Sequence, residues 1–182
     1  QRNRETELGD LLAECMRDQI GVDLVLLGSE SIRRPSLGPV VTVKDFMEVF
    51  PFKGPVIGFR LAGKQLRHIV TYMLREESFL DVDRTEWFQF SKGFCCEFDR
   101  KKHSIISLKM NGKEVDVKDV FTVAMQKHFF DNMGDFLDLP LKEVEKNGRP
   151  VEVATNAPNV LEEYFKDHGK LKLEGEQRLI IR

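Results

Sequence analysis

Cysteine is scarce in this 182-residue chain, which has Cys15, Cys95 and Cys96 and no others. Three thiols cannot all pair, and two adjacent ones do not bridge each other without strain, so no disulfide framework is expected and all three read as small buried hydrophobes. Clustered metal ligands are missing as well. His68, His103, His128 and His168 are scattered, with no His-x-His, Asp-x-His or Cys-x-x-Cys spacing, so no cofactor or metal is expected to be bound by this chain. Gly-x-Ser-x-Gly, Walker and dinucleotide fingerprints are absent, which removes the usual warrants for acyl transfer and for phosphate binding by a glycine loop. No apolar run reaches the roughly 18 residues of a membrane helix, and the opening is polar rather than signal-like, so no membrane partner is expected. A net charge of -2 gives no general pull on nucleic acid, and none is expected as a partner. A chain opening on Gln1 rather than Met is expected to have been cut from something longer.

What is present suffices for one core. Apolar residues make up 41 % and charged residues 32 %, a balance that buries one domain and solvates its surface. Over 7–20, Leu8, Leu11, Leu12, Cys15, Met16 and Ile20 recur at helical spacing, and Gly21 stands ready to end the helix. Residues 22–27 form a short apolar run read as a buried strand, followed by a Gly, Ser and Pro loop over 29–39. Thr42 caps a short helix through Phe50, with Asp45 three residues on and Pro51 as the stop. A strand over 56–61 precedes an amphipathic helix over 63–75. The period then changes, with strands over 88–90, 94–98, 105–110 and 120–125 read as a meander, and turn signals at Asn111-Gly112 and 99–103. Asn156 or Thr155 caps a last helix with Pro158 in its first turn, and 179–181 supplies a closing strand. Helices and antiparallel strands without regular β-α-β alternation give an α+β class, as a single domain whose amphipathic helices pack on a mixed sheet.

Three groups have binding chemistry: Arg33-Arg34 after the first strand, Phe50 and Phe52 around Pro51, and the cluster from His128 to Asp135, read as a loop. Arginine suits phosphate, exposed aromatics suit a base, and a loop carboxylate suits ribose hydroxyls. Plainer roles compete at every position. With 14 phenylalanines, ordinary packing accounts for any one of them, a solvated pair accounts for the arginines, and a turn former accounts for Asp135 beside Gly134.

Taken in order, the segments resemble the C-terminal domain of the 5'-nucleotidase family, which includes UDP-sugar hydrolases and bifunctional metallophosphatase/5'-nucleotidases. Arg4-Glu5-Thr6-Glu7-Leu8-Gly9-Asp10-Leu11 is similar to that family's Arg-x-x-E-x-x-L-G-x-L entry. Gly28-Ser29-Glu30-Ser31-Ile32-Arg33 stands at its Asn-Gly-Gly-Gly-Ile-Arg loop, and 42–52 matches its Thr to Pro-Phe segment. Leu61-Ala62-Gly63-Lys64-Gln65-Leu66 resembles its Leu-x-Gly-x-x-Leu, and 129–135 its Asn-Phe-x-x-Asn-Gly-Gly-Asp loop. The resemblance implies a substrate-binding domain that follows a metallophosphatase domain absent from this chain, whose divalent metal pair does the hydrolysis. It implies a nucleotide or nucleotide-sugar substrate, with the base between Phe52 and Phe129, the ribose on Asp135 and the phosphates on Arg33. By its spacing from Glu5 and Gly9, Arg2 matches a second phosphate-contacting arginine. Gly28 replaces the family's Asn, Ser29-Glu30-Ser31 replaces its glycines, and Met133 and Phe136 flank the aspartate where glycine is usual. Gly28 and Glu30 support the alternative of a non-catalytic ligand-binding or dimerisation module, and a homodimer stays open.

Overall fold

A computed structural model describes residues 4–38, 40–80, 85–170 and 175–182. Its elements are α1 (Glu7–Ile20), β1 (Leu24–Gly28), α2 (Val43–Val49), β2 (Val56–Ala62), α3 (Gly63–Met73), β3 (Phe88–Phe90), β4 (Phe94–Asp99), β5 (Ser104–Met110), β6 (Lys113–Glu114), β7 (Val120–Gln126), α4 (Lys127–Asp131), α5 (Met133–Leu137), α6 (Leu141–Glu145), β8 (Val151–Ala154), α7 (Ala157–His168) and β9 (Leu179–Ile181). The α+β class stands, but the strands divide into two mixed sheets rather than one. A five-stranded sheet runs β3-β1-β7-β2-β8 and a four-stranded sheet runs β6-β5-β4-β9. The expected meander is therefore partial: β4, β5 and β6 form it, while β3 and β7 leave to flank β1.

The central strands are buried on both faces, and their side chains alternate between two cores as the strand period requires. Leu24 and Leu26 of β1, Ile57, Phe59 and Leu61 of β2, and Val123 and Met125 of β7 join one cluster with α3 and the smaller sheet. Val25, Leu27, Val56 and Ala124 face the other way, into a cluster made with α1, α2 and α7. Along β4 the same alternation buries Phe94, Cys96 and Phe98. The three layers are thus helices, central sheet, and a mixed layer of α3 with the second sheet.

Local signals explain the helix ends. Thr6 accepts a hydrogen bond from the Gly9 amide at 3.1 Å, and Gly21 closes α1 in the left-handed region at φ 80°. Thr42 and Asp45 form a reciprocal capping box on α2. Asn111 and Gly112, at φ 50° and 79°, supply the paired positive φ values of the β5–β6 hairpin. Gly63 opens α3 hard against another chain segment: a β-carbon there would meet the Asp116 carbonyl oxygen at 1.9 Å. The glycine of the Leu-x-Gly-x-x-Leu motif is a packing requirement here.

The C-terminal strand is fastened by a buried arginine. Arg178, 3 % exposed, donates from Nη1 to the carbonyls of Asp10 (3.0 Å) and Phe90, and from Nη2 to Glu14 at 3.0 Å. The Glu5 carboxylate accepts from the amides of Arg178 (2.6 Å) and Leu179 (2.9 Å). Asp10 is buried beside this group. Desolvation first, then its closeness to Glu5, push its carboxyl up to about 8, against the opposing pull of Arg178.

Candidate functional site

Strand direction decides where the candidate residues emerge. β1 and β7 run parallel, with Leu24 opposite Val123 and Val25 opposite Ala124, so both finish on one edge of the central sheet. β2 is antiparallel to β7 with Val56 opposite Gln126, so the loop preceding β2 opens on that edge as well. β3 starts there too, with Phe88 opposite Gly28. Arg33 follows β1, Phe52 precedes β2, and Phe129 and Asp135 follow β7. Three segments bearing the four candidates therefore meet the sheet at one edge, where the carboxyl ends of two adjacent parallel strands commonly carry binding loops. Arg2 lies outside the described residues.

Backbone hydrogen bonds fix these segments to one another. The Arg33 amide donates to the Val49 carbonyl at 2.8 Å, tying the loop after β1 to the end of α2. In the Phe52 loop, the Gly54 amide donates to Asn156 Oδ1 at 3.2 Å and the Gly54 carbonyl accepts from Ala157 at 2.8 Å. The Pro55 carbonyl accepts from the Lys127 amide at 2.8 Å, which joins that loop to α4.

Beneath them sits a polar layer that the sequence did not single out. Ser31 Oγ donates to Gln126 Oε1 at 2.6 Å, and Gln89 Nε2 donates to Ser29 Oγ at 2.7 Å. Gln89 also accepts from the Thr6 amide at 2.8 Å and donates to the Arg4 carbonyl at 2.9 Å, which brings the entry segment to the same edge. Its only signal in the sequence was a glutamine between two phenylalanines in β3. The serines that replace the family's glycines thus serve as anchors for the loop.

The two expected stacking residues differ sharply in presentation. Phe52 is 39 % exposed, and the Arg33 guanidinium carbon lies 4.6 Å from its ring centroid. Phe129 is 5 % exposed and packs on Phe88 (5.4 Å between centroids), His128 (5.2 Å) and Phe136 (5.6 Å). Its ring also covers Gly28, where an added β-carbon would meet Phe129 Cζ at 2.2 Å. The segment from His128 to Asp135 is helical rather than a loop: α4 and α5 bury Phe129, Phe130, Met133 and Leu137 and turn Asp135 outward.

Charge at the edge is partly committed. Arg34 pairs with Glu48 at 2.5 Å and Lys127 with Asp131 at 2.5 Å. Among the described residues no carboxylate pairs with Arg33, and the Asp135 side chain has no hydrogen-bond partner. An open cleft of about 1520 Å³ adjoins the site and includes Arg4, Arg33, Arg34 and Lys170. Phe52, Phe129 and Asp135 do not line it, so Arg33 stands at the border between the cleft and the aromatic side. Among the described residues no group of three or more histidine, cysteine, aspartate or glutamate side chains could hold a metal ion.

The model of the 5'-nucleotidase C-terminal domain matches residues 1–138. The chain belongs to this family. No curated protein matches it. Among solved structures, a 5'-nucleotidase precursor of Thermus thermophilus superimposes with a TM-score of 0.80 at 22 % identity, over 98 % of this chain and 36 % of that one. The NAD nucleotidase of Haemophilus influenzae gives 0.76 at 13 % identity, over 96 % and 32 %. The sulfate thiohydrolase SoxB of Thermus thermophilus gives 0.66 at 14 % identity, over 96 % and 32 %. At these identities the likeness is one of fold, and the chain spans about a third of the length of each. The family match ends at Asp138, whereas the structural likeness covers 98 % of the chain.

Proposed function

We propose that this chain is the substrate-binding domain of a 5'-nucleotidase-type phosphohydrolase, holding the nucleoside end of a nucleotide or nucleotide sugar. A second, metallophosphatase domain with a divalent metal pair hydrolyses the phosphate ester. The observation that carries this reading is that Arg33 lies over an exposed ring, Phe52, and that the segment bearing Asp135 leaves the same end of the central sheet, with neither Arg33 nor Asp135 in a charged pair among the described residues. A ring face offers stacking to any base, on the order of 1–3 kcal/mol per base. A guanidinium matches phosphate oxygens, and a carboxylate accepts from ribose hydroxyls. The fold alone cannot choose the substrate, since a sulfate thiohydrolase shares it, so the side chains at this edge have to.

Burial of Phe129 favours a second reading, a non-catalytic module of the same fold. In that case the ring that would complete a base sandwich serves the core beside Gly28 instead. Titrating the chain with AMP and UDP-glucose by protein NMR, next to a Phe52→Ala variant, separates the two. Saturable shifts that vanish in the variant support substrate binding; a folded protein that responds to neither ligand supports the module.

A further inference from the structure

Arg33 and Phe52 are each other's partners before any ligand arrives. The guanidinium carbon lies 4.6 Å from the ring centroid, over one face of a side chain that stays 39 % exposed with the arginine in place. We propose that Arg33 is a specificity-determining residue which caps the Phe52 face in the unliganded domain and gives it up only to a ligand that carries a phosphate. The domain then accepts nucleotides and discriminates against nucleosides and free bases. This inference rests on the reading of Phe52 as the stacking residue.

The physical reason lies in what each ligand offers in exchange. A nucleoside that stacks on Phe52 must displace the guanidinium and break a cation–π contact without replacing it. A nucleotide displaces the same group but gives it phosphate oxygens, a charge-assisted interaction stronger than the one lost. The backbone suits such a pivot. The Arg33 amide is held on Val49 at 2.8 Å, so the side chain swings from a fixed base. Its neighbour Arg34 is tied to Glu48 at 2.5 Å and is not set to take the phosphate in its place. Discrimination of this kind needs no hydrogen bond to the base, in keeping with a glycine at position 28 under the Phe129 ring.

The test compares adenosine with AMP on the wild-type chain and on Arg33→Ala. Uncapping the ring should tighten adenosine binding by roughly two- to fivefold, the size of an exposed cation–π contact. AMP binding should weaken roughly tenfold or more as the charged contact to phosphate is lost. Unchanged adenosine affinity, with AMP weakened, would make Arg33 a phosphate contact only; it would overturn the cap and leave the proposed function standing. Weakened adenosine binding would make Arg33 part of the stack and would likewise overturn it. If neither ligand binds either protein, the proposed function fails and the cap fails with it. A ligand-free readout is independent of all three: the Arg33 Cδ protons should be shifted upfield by the Phe52 ring, and the shift should disappear in Phe52→Leu. Its absence from the wild-type spectrum would overturn the proposal.

Discussion

The Phe129 ring lies directly on Gly28, so closely that a β-carbon on the glycine would stand 2.2 Å from the ring's Cζ. The end of β1 and the first turn of α4 are thereby fitted to each other, with Phe88 and Phe136 as side walls. Any side chain at position 28 must push out a ring that is 5 % exposed.

Gly28→Ala is therefore expected to destabilise the fold by about 1–3 kcal/mol, the usual cost of overpacking a filled core. In a Phe129→Ala background the same substitution should cost much less, because the ring it meets is gone. Urea unfolding of the four proteins of this cycle measures the coupling. Additive costs would mean that the ring does not rest on the glycine.

The Asp10 carboxyl gives stability a pH dependence of unusual sign for an acid. Its value rises from an ordinary 3.8 to about 8 on folding, so the folded state holds a proton that the unfolded state has released. Between these two values the unfolded chain binds fewer protons, and stability falls as pH rises, levelling off above about 8. Asp10→Asn should flatten this slope, so that from pH 5 to pH 8.5 the wild type loses more stability than the variant by at least ~1 kcal/mol. Unfolding curves at the two pH values decide, and parallel losses would contradict the assignment.

Gly63→Ala should be the more disruptive glycine change, because its obstacle is the Asp116 main-chain carbonyl, 1.9 Å from an added β-carbon, rather than a movable ring. A loss of about 2 kcal/mol or more is expected from this overpacking. Hydrogen exchange should locate the damage at the start of α3 and in the turn before β7; protection unchanged there would be the contrary result.

The cysteines should divide by reactivity. Burial pushes the Cys15 and Cys96 thiols up to about 12, which leaves almost no thiolate at neutral pH. Cys95 is half-buried, its thiol raised chiefly by desolvation, and faces out of β4. Mass spectrometry after brief iodoacetamide treatment should find Cys95 alkylated first, with Cys15 and Cys96 labelled only as the protein unfolds. Equal labelling of all three in the folded state would contradict their burial.

Much of the fold was legible because the long helices announce themselves. α1 has helical apolar spacing between a capping threonine and a glycine, α7 the same spacing with Pro158 in its first turn and Gly169 at its end, and α3 the same spacing along one face, so local sequence was enough; Asn156 itself accepts from Gly54 rather than capping α7. Strand partners were not legible. β3 and β7 look like neighbours of β4 and β5 in the chain, yet they bond to β1, a choice made by a core assembled from distant segments. The four-residue β8 went unread because its residues are mostly exposed and carry little pattern. The candidates Arg33, Phe52 and Asp135 were singled out by their order along the chain, and the structure puts the segments that bear them at one edge of the central sheet. The helical nature of 128–135 was missed because Asp135 beside Gly134 read as a turn former and the cluster was matched to a family loop. Phe129, Met133 and Leu137, spaced four apart, carried the opposite signal and bury together.

The most direct test of the nucleotide-binding account is a crystal structure of the chain with AMP. The base should lie on the Phe52 ring, with the Arg33 guanidinium moved from that ring to the phosphate and Asp135 within hydrogen-bonding distance of the ribose. AMP bound elsewhere, with Arg33 still resting on Phe52, would contradict it.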